Sequence, residues 1–159
     1  MARDIFVKVI GDDLFSLNWM SLLLVRDWRT TVVESCDIQT FILEDAEEVL
    51  PKPDILLLDV DSTMLYPTFL TEATEKAKSE YGVPLLLVSS SLDNRLLQNY
   101  DHAACQGLLM KDEISTSLAW AVTFAAEDKR VFTPTPISLL REQMEMEMED
   151  LVVLKTRPI

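Results

Sequence analysis

Four apolar runs in this chain each lead into polar residues able to do chemistry. Ile5–Ile10 (IFVKVI) is followed, after Gly11, by Asp12-Asp13. The run DILLLDV, residues 54–60, contains Asp59, with Asp61 just beyond it. Leu85–Val88 leads into Ser89, Ser90 and Ser91, and Gly107–Met110 leads into Lys111. Clustered carboxylates repel one another and stay ionised together only where a cation neutralises them. Oxygen ligands without His or Cys suit Mg2+, which keeps several waters and binds through one or two carboxylates. A hard cation beside a free carboxylate, an ammonium and a hydroxyl is an arrangement for phosphoryl transfer. In it, Asp59 would act as nucleophile, Lys111 would offset phosphoryl charge, and Ser89 would donate a hydrogen bond to a phosphoryl oxygen. Each residue also has a plainer reading. Asp12-Asp13 could be a solvated turn, and Asp59 with Asp61 an Asx turn closing a strand. Lys111 could make a surface ion pair worth under about 1 kcal/mol.

The plain readings give way only if the four runs are neighbouring strands of one sheet. Short β-branched runs alternate with helix-period stretches along the chain. Strands are expected at Ile5–Ile10, Thr31–Ser35, Asp54–Val60, Leu85–Val88 and Gly107–Met110. Helices are expected at Phe15–Val25, Phe41–Leu50, Thr68–Tyr81, Asn94–Ala104 and Ser115–Glu127. Pro51 and Pro53 mark a break between elements, and Gly82 with Pro84 marks another. Five βα units of this kind predict a flavodoxin-like, doubly wound α/β fold, a five-stranded parallel sheet of order 2-1-3-4-5. In that order the four runs end side by side, at the edge where open α/β sheets bind ligands. Composition changes after Lys129, so residues 1–130 are expected as the domain and 131–159 as a helical extension. Ile137, Leu140, Met144, Met148 and Leu151 form one apolar stripe in that extension, suited to a linker helix lying on the domain or to a short dimerisation seam.

Composition excludes several classes. The 159 residues carry a formal net charge of −13, which opposes direct binding to nucleic acid or anionic lipid. Gly11, Gly82 and Gly107 stand too far apart for a Gly-rich phosphate loop. One His and two distant cysteines, Cys36 and Cys105, cannot close a zinc site, and free thiols fit a reducing cytoplasm. The apolar runs are too short to span a bilayer, and no signal peptide is visible. Trp19, Trp28 and Trp120 are expected in core or helix-face packing, and His102 carries no expected role.

The residues resemble the receiver domain of bacterial two-component response regulators over about residues 4–130. VIGDDLF resembles the acidic pair after the first strand, and DILLLDVD the phosphoacceptor strand. VPLLLVSS resembles the hydroxyl-bearing fourth strand, and GLLMKDE the lysine strand. DKRVFTPTPISLL resembles the stretch that follows the receiver in LuxR-type regulators, where a DNA-binding domain comes next. The resemblance implies that Asp59 accepts a phosphoryl group from a histidine kinase. Asp12 and Asp13, with Asp59 and the carbonyl of Asp61, would hold Mg2+; Ser89 would be the switch hydroxyl and Lys111 the family lysine. It further implies relay through the face of the fourth helix, fifth strand and fifth helix, and a homodimer through that face or the C-terminal helix. DNA would be reached only through an output domain beyond residue 159. Such a protein is a signalling module, not a turnover enzyme. The pattern also departs from the family: Thr63 stands at the usual proline position, Leu108 at the aromatic switch position, and Gly11 at a usually apolar one. Those departures keep a phosphorylation-independent receiver, acting as a dimerisation or interaction module, as an alternative. LLLDVDST also resembles the first motif of haloacid-dehalogenase-type phosphatases, a more distant alternative.

Overall fold

A computed structural model of the chain describes residues 4–63, 67–101, 104–144 and 151–154. The strands are β1 (Ile5–Ile10), β2 (Thr30–Cys36), β3 (Ile55–Asp59), β4 (Leu85–Ser89), β5 (Cys105–Met110), β6 (Arg130–Phe132) and β7 (Leu151–Val153). The helices are α1 (Leu14–Val25), α2 (Ile38–Leu43), α3 (Pro67–Lys76), α4 (Asn94–Asn99), α5 (Leu118–Ala126) and α6 (Pro134–Met144). All strand pairs are parallel, in the order β2-β1-β3-β4-β5-β6-β7. The predicted order 2-1-3-4-5 therefore holds for the first five strands, and two further strands extend the sheet.

Strand burial follows the two-residue pleat. Leu56, Leu58, Leu85, Leu87 and Leu108 face α2, α3, α4 and α6. Ile55, Leu57, Leu86, Val88 and Leu109 face α1 and α5. Every residue of β3 and β4 is buried, which is why both read as unbroken apolar runs. The first four crossovers share one hand. The β5-α5-β6 crossover has the opposite one, because the chain keeps moving toward β7 while α5 lies on the α1 face. Leu118, Val122 and Ala125 hold α5 there by packing in the cluster that contains Met20 and Leu24. Asp128, at φ 64°, then turns the chain directly into β6.

Several expectations are corrected. The second helix stops at Leu43 instead of running to Leu50, because Glu44 leaves the helix in extended conformation. Its carboxylate lies 2.7 Å from the fully buried Lys8 ammonium and accepts from the Tyr81 hydroxyl at 2.6 Å, while its carbonyl accepts from Lys76. The fourth helix stops at Asn99, not Ala104; Tyr100 leaves it in extended conformation, buried beside Phe132 with ring centroids 6.3 Å apart. His102 lies outside the described residues. The segment after residue 130 carries β6 and β7 as well as a helix. Ile137 and Leu140 are buried in the core, and Leu151 belongs to β7, so the stripe is not one free helical seam; Met148 lies outside the described residues. By pairing with β5, β6 also divides the expected face of fourth helix, fifth strand and fifth helix. Trp28 is exposed rather than packed, and the Arg29 guanidinium lies over the Trp120 ring at 3.9 Å.

Close approach of β6 depends on Gly107, where a Cβ would run into the Val131 carbonyl. Gly107→Ala is expected to lower stability by about 1–3 kcal/mol through forced separation of β5 and β6, measured by denaturant unfolding.

Candidate functional site

The site lies where β1, β3, β4 and β5 end together. Asp59 is the last residue of β3 and is wholly buried. Gly11 makes room for it: a Cβ there would come within 2.9 Å of the Asp59 Cβ. Ser89 is the last residue of β4, and Lys111 begins the 3-10 turn after β5. Asp61 sits in the 3-10 turn Val60–Thr63, and its N–H donates to Asp59 Oδ1 at 3.1 Å.

Lys111 ties the group together. Its Nζ lies 3.0 Å from Asp59 Oδ1 and 2.7 Å from Asp61 Oδ2, and donates to Ser16 Oγ at 3.1 Å. The Asp59 Oδ1 atom thus has two donors, while its buried Oδ2 has none. Burial pushes the Asp59 carboxyl above the usual carboxylate range, and the hydrogen bond and charge of Lys111 offset only part of that push. Burial also acts to raise Asp61, but bonds from Lys111 and Ser90 outweigh it and hold that carboxyl below its ordinary value. For Lys111, burial lowers the ammonium, and the bonds to Asp61 and Asp59 more than reverse it, leaving the net shift upward.

The other two acids go elsewhere. Asp12 is exposed, and its Oδ1 accepts from the Ile38 N–H at 3.0 Å, at the start of α2. Asp13 caps α1, its carboxylate accepting from the Phe15 N–H at 3.0 Å and the Ser16 hydroxyl at 3.2 Å. Among the described residues, no three His, Cys, Asp or Glu side chains are grouped as a metal would require. Of the expected Mg2+ set, the Asp12 and Asp13 carboxylates thus face helix starts and the Asp59 carboxylate faces Lys111, whereas the group expected from Asp61 is its carbonyl and not the carboxylate that meets Lys111. Asp59, Asp61, Ser89 and Lys111 do converge. Ser16 and Ser90 have no role legible in the sequence beyond their nearness to Asp13 and Ser89.

The fold is that of response-regulator receiver domains. The chain is similar to the receiver domain of RcsB from Salmonella enterica serovar Typhimurium in the apo form, with TM-score 0.70, 16% identity, and 87% of this chain and 99% of that one covered. It is also similar to the signal receiver domain of the putative response regulator NarL from Mycobacterium tuberculosis, with TM-score 0.62, 20% identity, and coverage of 80% and 99%. A third similar structure is of two RcsB dimers bound to two parallel DNAs, with TM-score 0.69, 14% identity, and coverage of 88% and 69%. No protein-family model and no curated protein matches the sequence.

Removing the ammonium leaves a buried carboxylate without its cation. Lys111→Met is expected to cost on the order of 3 kcal/mol, and markedly less when Asp59→Asn is already present. Because folding raises the Lys111 pKa, its stabilisation is complete below the ordinary lysine value of 10.5 and is lost as pH rises through the higher folded value. Unfolding curves of wild type and Lys111→Met should therefore converge at strongly alkaline pH.

Proposed function

We propose that this chain is the input module of a response regulator, with Asp59 as the acceptor of a phosphoryl group from a histidine kinase. The observation that carries this reading is the wholly buried Asp59 at the end of β3, with an ammonium 3.0 Å from Oδ1 and no partner on Oδ2. An acceptor needs an oxygen with free lone pairs and a fixed positive charge beside the developing phosphoryl charge, and this carboxylate has both. The receiver fold supports the same reading. No helix among the described residues is long and apolar enough to cross a membrane.

The relay we assign runs into the C-terminal segment. The Met110 N–H donates to Thr133 Oγ1 at 2.9 Å, and Thr135, in the first turn of α6, donates from its N–H and hydroxyl to the Glu113 carboxylate at 3.3 and 3.1 Å. The turn carrying Lys111 is thereby fastened to the start of α6. Output follows from there to a domain beyond residue 159 that contacts DNA, and pairing of two copies belongs to that step; the similar structure of two RcsB dimers bound to two parallel DNAs supports this reading. The module is a signal carrier without turnover.

Incubation with a small phosphodonor in a Mg2+-containing buffer, followed by intact-mass measurement, tests the reading. A single phosphate adduct absent from Asp59→Asn is expected. An adduct that persists in that variant, or steady release of phosphate from many monoesters, would overturn it, the second in favour of a phosphatase.

A further inference from the structure

The donors around Asp59 already hold an anion, and that anion belongs to the chain itself. Asp61 Oδ1 accepts from the Ser90 N–H at 3.0 Å and lies 3.2 Å from the Ser89 hydroxyl, which also reaches the Ser91 carbonyl at 2.6 Å. Asp61 Oδ2 takes Lys111 at 2.7 Å and the Ser90 N–H at 3.2 Å. A backbone N–H and an ammonium, drawn from two strand ends, thus converge on one carboxylate, with the Ser89 hydroxyl 3.2 Å away sharing its single proton with the Ser91 carbonyl. The Asp61 N–H bond to Asp59 Oδ1 fixes the turn, and both carboxylates meet the same Lys111 ammonium, at 3.0 and 2.7 Å. A phosphoryl group on Asp59 would bring three strong acceptor oxygens and nearly two negative charges into the same space, and would need these same donors.

We propose that the Asp61 carboxylate is a built-in occupant of the phosphoryl seat beside Asp59. It holds Ser89, Ser90 and Lys111 in the arrangement that a phosphoryl group would otherwise impose. The resting chain is therefore self-loaded, and transfer to Asp59 first requires Asp61 to leave. With an acyl phosphate donor, an Asp59 oxygen forms the new bond to phosphorus as the bond between phosphorus and the acyl oxygen breaks. The donor's carboxylate departs with the electron pair. This kinetic consequence rests on Asp59 being the acceptor; occupancy of the seat does not.

Two measurements separate these statements. First, acyl phosphate labelling is followed by intact mass in wild type, Asp61→Asn, which keeps the side-chain shape, and Asp61→Ala. Both variants are expected to label at least about tenfold faster, equivalent to about 1.4 kcal/mol in the barrier, and to lose labelling when Asp59→Asn is added. Equal rates in wild type and variants overturn the proposal. Second, thermal unfolding is recorded with formate against chloride at equal ionic strength. Formate refills a seat that has lost a carboxylate, so it should raise the Tm of Asp61→Ala and leave wild type unchanged. If no protein labels at all, the acceptor reading falls, and the formate result alone decides occupancy: an equal response in both proteins overturns it.

Discussion

A carboxylate with no access to water must be given a cation or lose its charge, and the end of this sheet is organised around that demand. Asp59 is the residue concerned, and Lys111 is the cation. They lie 52 positions apart in sequence by their own numbering, so only the parallel order of β3, β4 and β5 can bring them together. Gly11 lets the end of β1 close over the pair. Asp61 supplies the second negative group, and Lys111 bridges both. Two carboxylates around one ammonium carry a net negative charge, and the Ser90 N–H disperses part of it.

A second buried ammonium reinforces the other half of the sheet. The alternation in IFVKVI places Lys8 on the same face as Ile10, toward α2 and α3, where Glu34 on β2 and Glu44 after α2 receive it at 2.6 and 2.7 Å. Burial acts to lower this ammonium, and the two carboxylates raise it by more. The group behaves as a strut between β1, β2 and the end of α2. Cutting α2 short is part of it, since Glu44 reaches Lys8 from extended backbone.

The strands, their order and the two helix layers were legible because a buried parallel strand is an apolar run with turn residues after it. DILLLDV and VPLLLVSS admit little else. The convergence of Asp59, Asp61, Ser89 and Lys111 was legible for the same reason, since strand ends in such a sheet meet. Helix lengths were not: Glu44 and Tyr100 end α2 and α4 through contacts with Lys8 and Phe132, which are remote in sequence. The helix-start contacts of Asp12 and Asp13 were not legible, because a capping carboxylate and a ligand carboxylate look alike in sequence; only the structure shows the N–H groups of Ile38 and Phe15 facing them. Strands β6 and β7 were hidden by brevity, three residues each, next to prolines and acidic sequence that suggest a tail.

Those two short strands alter how copies of this protein can meet. In a five-stranded sheet β5 would be a margin, with unpaired N–H and C=O groups open to a strand from another chain. Here β5 is interior, and the described sheet ends at β7 on one side and β2 on the other. Strand β7 is too short to template much pairing, and β2 carries the exposed charge of Glu34. Among the described residues, the edge that β5 would have offered to a strand from another chain is thus already taken by the chain itself.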